Sequence, residues 1–101
     1  MADLTLQQFL IPEDAQIVLD GGDIVVFSYK FINHKARSPR STFFPISMGH
    51  LGIGIPYSVA VKIAKPDKTV VCLTGDGSFL FNVQELETAV RLNLPIIIVI
   101  A

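Results

Sequence analysis

Two uninterrupted apolar runs, Thr69-Val70-Val71-Cys72-Leu73 and Ile96-Ile97-Ile98-Val99-Ile100, leave this chain few ways to fold. Both are rich in β-branched residues, the pattern of a strand covered on its two faces. Between them Val83, Leu86, Ala89 and Val90 recur at helical spacing, with Glu85, Glu87 and Arg91 on other faces. Asn82 and Glu85 stand at capping-box spacing where that helix would start, and Asn93 and Pro95 close it. The segment reads as one βαβ unit. Its first turn is Thr74-Gly75-Asp76-Gly77-Ser78, a glycine-flanked carboxylate at the end of a buried strand.

The rest of the chain can be placed around this unit. Leu4 to Leu10 reads as a short helix ending before Pro12. Ala15 to Leu19 reads as a strand that stops at a second glycine-flanked acidic turn, Asp20-Gly21-Gly22-Asp23. Ile24 to Phe31 is open to two readings, since its β-branched and aromatic content favours a strand while its position favours a crossover helix. Asn33 to Ser41 is polar and basic, a loop, and Thr42-Phe43-Phe44 is a short strand ended by Pro45. In Ser47-Met48-Gly49-His50-Leu51-Gly52-Ile53-Gly54-Ile55-Pro56, three glycines permit tight turns and close approach. Pro56 suits the first turn of a helix running to Ala64 with Val59, Ala60 and Ile63 inward. Four strands at crossover spacing predict an α/β fold with a partial parallel sheet and crossover helices. Ligands in such sheets lie beyond the carboxyl ends of the strands. Ala101 falls where the next site residue would be due, so residues 1–101 read as a single partial domain.

Composition narrows the classes of function. With 101 residues and a net charge of −1, the chain holds one small core. Nothing in that charge calls for nucleic acid or an anionic membrane as partner, and Lys30, His34, Lys35, Arg37 and Arg40 read as a solvated basic loop. The single cysteine, Cys72, sits inside an apolar strand, which suits a buried, inert thiol in a reducing cytoplasm. No signal peptide is evident at Met1-Ala2-Asp3-Leu4, and the apolar run at Ile96 is too short to span a bilayer.

Asp76 has the setting of a magnesium ligand. Its carboxylate follows a buried strand, while Gly77 and Ser78 offer N–H groups and a hydroxyl to phosphate oxygens at a helix start. Magnesium commonly bridges one or two carboxylates and a diphosphate. The alternative is that Asp76 caps the following turn. A dinucleotide-binding reading also stands, because Gly49, Gly52 and Gly54 precede a helix and Asp76 follows about twenty residues later. The glycine order argues against it, running G-x-x-G-x-G instead of G-x-G-x-x-G.

Gly75-Asp76-Gly77-Ser78, followed by Gln84-Glu85-Leu86 and Thr88-Ala89, resembles the thiamine-diphosphate motif in the cofactor-binding domain of acetolactate synthase and its relatives. Gly54-Ile55-Pro56 and Lys65-Pro66-Asp67-Lys68 are similar to the same family, and Asp20-Gly21-Gly22-Asp23 and Gly49-His50-Leu51-Gly52 to its benzaldehyde-lyase side. The resemblance implies thiamine diphosphate and magnesium as cofactors, with Asp76 on the metal and Gly75, Gly77 and Ser78 around the diphosphate. It makes Leu51 the apolar wedge that bends the cofactor, with the Gly49 carbonyl and the Leu51 N–H on its pyrimidine ring and His50 beside them. The implied substrates are 2-oxo acids or 2-hydroxy ketones, undergoing carbon–carbon bond formation, cleavage or decarboxylation. The family's closing Asn pair would fall just past Ala101, and its pyrimidine-binding domain comes from a partner subunit in a homo-oligomer. No catalytic residue is assigned to this chain, which is expected to be inactive alone. The rival readings are a dinucleotide-binding fragment and a non-catalytic remnant or interaction module with exposed apolar edges.

Overall fold

The computed structural model describes residues 11–32, 38–45 and 47–101, with Phe31 described by its backbone alone. The expected helix at Leu4 to Leu10, most of the basic cluster (His34, Lys35, Arg37) and the Asn33 end of the loop lie outside the described residues. The elements are β1 (Gln16–Asp20), α1 (Asp23–Ile32), β2 (Thr42–Phe43), α2 (Gly54–Ala64), β3 (Val70–Thr74), α3 (Asp76–Phe81), a 3-10 turn (Val83–Glu85), α4 (Leu86–Arg91) and β4 (Ile97–Ile100). All strands pair in parallel, in the order β2-β1-β3-β4. The α/β fold with a parallel sheet and crossover helices is therefore as expected.

The two central strands, β1 and β3, are buried along their whole length, which is why their sequences show no polar alternation. Side chains alternate between two cores. Ile17, Leu19, Val71 and Leu73 form one with Ile32 and Val25 of α1. Val18, Val70 and Cys72 form the other with Val61 of α2, continued by Ile55, Val59 and Ala89 where α4 joins. The chain steps outward from β1 to β2, then returns past β1 to β3. The strand order thus reverses between β1 and β3, at whose carboxyl ends a crevice opens.

Several local readings change. Ile24 to Phe31 is helical, because Val25, Ser28 and Ile32 form a stripe at helical spacing against the sheet and a parallel crossover needs a covering helix. β-branched propensity yields to that burial. Helix α2 starts at Gly54, before Pro56, and turns Ile55, Ser58, Val59 and Lys62 inward, leaving Ala60 and Ile63 outside. Both sides of this helix carry apolar residues, so hydrophobicity alone does not choose the face; Ser58 lies flat by donating to the Gly54 carbonyl at 2.6 Å. Downstream of β3, a helix expected only from Asn82 begins at Asp76. The capping box does not form. The Asn82 amide is drawn to the Gly52 carbonyl, 2.6 Å away, and Glu85 accepts instead from Thr88. Val90 is 77% exposed, since Ala89 takes the inward place on α4.

Leu19 is fully buried in the β1 core. Leu19→Ala is expected to cost about 2–5 kcal/mol, read as a lower urea midpoint at unchanged slope.

Candidate functional site

Asp20 ends β1 with 1% of its surface exposed, yet its carboxylate is fully bonded. One oxygen accepts from the Gly52 N–H at 3.0 Å and the other from the Gly54 N–H at 2.8 Å. Gly54 opens α2, whose N-cap residue Ile53 has no side-chain acceptor to offer. A carboxylate from another strand therefore caps this helix, and favourably, since it meets the positive end of the peptide dipoles. The Asp20 carbonyl also accepts from the Gly75 N–H at 3.1 Å, tying the β3–α3 turn to the same residue. Gly52 lies at φ +93°, where a side chain is strained, and an added Cβ would sit 2.6 Å from that of Phe81. At Gly54 a Cβ would meet Asp20 Oδ2 and Cys72 Sγ at 2.9 Å.

Beyond these strand ends lies a cleft of about 310 Å³. It brings together Leu51, Gly75, Asp76, Gly77 and Ser78, with Gly22, Asp23, Ile24 and Ala101. Gly49 and His50, exposed on the same loop as Leu51, do not line it. Asp76 accepts from the N–H of its neighbour Gly77 through Oδ1 at 2.7 Å, at the first turn of α3, whose N-cap residue Gly75 offers no side-chain cap. The other Asp76 oxygen has no hydrogen-bond partner among the described residues. Ser78 is buried, and the N–H groups that start a helix have no carbonyl one turn below. A Cβ at Gly77 or Gly22 would meet nothing within 4 Å, so the backbone there borders open space. Leu51, 45% exposed, supplies an apolar surface to the same cleft.

This donor set suits an anion with a metal ion at one end and an apolar body at the other. Among the described residues no three His, Cys, Asp or Glu side chains gather as a metal cage. Asp76 alone would thus share a hard cation with ligand oxygens, as magnesium commonly does with phosphates. Larger grooves exist, one of about 500 Å³ beside α4 and one of about 410 Å³ beside Phe43 and Tyr57. Both have mainly apolar linings; a third, of about 340 Å³, is polar but lies at Asp14, Gln16 and the Lys65–Lys68 turn, at the amino ends of β1 and β3, away from the carboxyl ends where parallel sheets place their ligands. The α2 N-terminus, where a dinucleotide's pyrophosphate would sit, is already filled by Asp20. Asp20 and Asn82 are the residues sequence reasoning placed wrongly or left at turn duty, because their partners lie 32, 34 and 30 positions away.

Cys72 is buried beneath Asp20 and Gly54, and burial pushes its thiol from 9.0 to about 11, with the neighbouring Ser58 side chain opposing and the Asp20 charge adding to the rise. The native chain keeps the thiol proton where the unfolded chain releases it. Stability from this group is therefore complete below pH 9.0 and is lost as pH climbs to about 11. Comparing urea midpoints with Cys72→Ala across that range isolates the effect, the variant lacking this part of the slope. Gly54→Ala is expected to destabilise by about 1–3 kcal/mol through overpacking. Gly22→Ala, facing open space, stays within about 0.5 kcal/mol by the same assay.

Residues 20–101 match the family "Thiamine pyrophosphate enzyme, C-terminal TPP binding domain". The acetolactate synthase isozyme 2 large subunit of Escherichia coli K12 is 38% identical over 89 residues, 88% of this chain and 16% of that protein. The 2-hydroxyacyl-CoA lyase 2 of Homo sapiens is 33% identical over 93 residues, 92% of this chain and 14% of that protein. Among solved structures, the thiamine diphosphate-dependent 4-hydroxybenzoylformate decarboxylase of Rhodococcus jostii RHA1 superposes with a TM-score of 0.79 at 33% identity, covering 96% of this chain and 18% of that one. The chain therefore spans less than a fifth of the length of each of these relatives. With the family model covering residues 20–101 and the fold superposing along 96% of its length, this chain belongs to the C-terminal TPP-binding domain family of thiamine pyrophosphate enzymes.

Proposed function

We propose that the cleft at the ends of β1, β3 and β4 holds thiamine diphosphate with magnesium, as part of a longer acetolactate-synthase-like enzyme. The observation that carries this reading is the Asp76 carboxylate with one oxygen unbonded, next to the open space at Gly77 Cα and to Ser78, in a cleft that Leu51 makes apolar on another side. Asp76 would hold the metal; Gly75, Gly77 and Ser78 would surround the diphosphate. Leu51 would support the cofactor's organic part, and Gly49 and His50, outside the cleft lining, would meet only portions that extend beyond it. When bound, thiamine diphosphate supplies an electron sink for making or breaking a bond next to a carbonyl. This chain's share is to bind and orient, for none of its described residues is assigned a proton-transfer role.

The substrates of the whole protein would be 2-oxo acids or 2-hydroxy ketones, undergoing carboligation, cleavage or decarboxylation. Residues 1–101 would form the first portion of the cofactor-binding domain. A pyrimidine-binding domain, from a partner subunit of a homo-oligomer, would complete the site. No helix among the described residues is long and apolar enough to cross a membrane. Cys72, a buried free thiol, suits the cytoplasm.

Amide chemical shifts provide the test. Thiamine diphosphate added with magnesium is expected to move Leu51 and Gly75 to Ser78, and to move none of them after chelation of the metal. Asp76→Ala should lower the apparent affinity at least about tenfold. A nicotinamide dinucleotide that binds regardless of magnesium, with thiamine diphosphate inert, would establish the dinucleotide reading instead.

A further inference from the structure

Gly52 is held by both of its peptide groups. Its N–H donates to Asp20 Oδ1 at 3.0 Å, and its carbonyl accepts from Asn82 Nδ2 at 2.6 Å. Neither partner belongs to the glycine loop. Asp20 ends β1, and Asn82 follows α3, the helix that begins at Asp76. The same Asp20 binds Gly54 through its other oxygen and Gly75 through its carbonyl. Leu51, the residue before Gly52, is thus fixed relative to the Asp76 turn by two long-range bonds, although its own side chain is only half covered.

We infer that Asp20 and Asn82 are positioning residues, which set the distance between the apolar Leu51 surface and the anion-binding Asp76–Ser78 turn. The inference rests on the proposed thiamine-diphosphate reading for its ligand. Neither residue lines the cleft. Their effect falls on a ligand long enough to touch Leu51 and the turn together. A ligand that occupies the turn alone is indifferent to them.

Two ligands separate these effects. Inorganic diphosphate with magnesium probes the turn, whereas thiamine diphosphate with magnesium spans the turn and Leu51. Asn82→Asp keeps the size of the side chain but presents an acceptor to the Gly52 carbonyl. It is expected to weaken thiamine diphosphate about tenfold while inorganic diphosphate stays within about twofold. Asp20→Asn, if it folds, should show the same split. Adding it to Asn82→Asp should cost less than the two single losses combined, since both act on Gly52. Equal losses for the two ligands, or no loss for either, would overturn the inference.

Hydrogen exchange of the ligand-free chain provides a second readout. The Gly52 and Gly54 amides should exchange with the protection of β1, and Asn82→Asp should speed Gly52 while leaving β1 unchanged. If Gly52 and Gly54 exchange as fast as exposed Gly22 in the unmodified chain, the clamp is absent. Failure of the unmodified chain to respond to either diphosphate would instead refute the cofactor reading, and exchange would still decide the clamp.

Discussion

A carboxylate buried at the end of a parallel strand is unfavourable by several kcal/mol unless its oxygens are bonded. Asp20 meets that demand with backbone N–H groups from a loop more than thirty residues later in the chain. The exchange is reciprocal. Helix α2 starts without a side-chain cap of its own, so its first N–H groups would be unsatisfied inside the fold. Each element answers the other's electrostatic need, and Gly52 to Gly54 are fixed against the end of β1 as a result.

The glycines follow from the same constraint. Gly54 must admit the Asp20 carboxylate and the Cys72 sulfur at distances that leave no room for a Cβ. Gly21, at φ +129°, lets the β1–α1 turn lie against Gly75 and Ser78. These packing glycines differ from Gly22 and Gly77, whose missing side chains leave open space. One group builds the frame, and the other leaves the cleft accessible. That division explains how a chain with so small a core can hold a polar turn and an apolar leucine at a fixed separation.

The outer strands are less constrained. β2 has two residues and runs into Phe44 and Pro45, a short edge that resists further pairing. β4 is longer, with Ile97 and Ile100 about half exposed, and it borders the apolar groove beside α4. Its sequence is nevertheless that of a covered strand, matching Val70–Leu73 in character.

Much of this was legible in the amino-acid order. The apolar runs specified the strands, and the glycine-flanked Asp76 marked the turn that lines the cleft at their carboxyl ends, because both signals depend on residues adjacent in sequence. The face of α2, the start of α3 and the partners of Asp20 and Asn82 were not legible. Ile63 and Val90 look as suited to a core as Val59 and Ala89, and only docking against the sheet chooses between them. The Asn82–Glu85 spacing signals a capping box, but the Asn82 side chain turns to donate through Nδ2 to a carbonyl thirty residues away, and its Oδ1 accepts from the Gln84 side chain instead of the Glu85 N–H. Local pattern marked the four strand segments and where the carboxylates stand, but left Ile24 to Phe31 open between strand and helix until a parallel crossover required a helix. Tertiary structure decided what those carboxylates and amides bind, since a buried polar group takes the partner that packing brings within reach, wherever it lies in the chain.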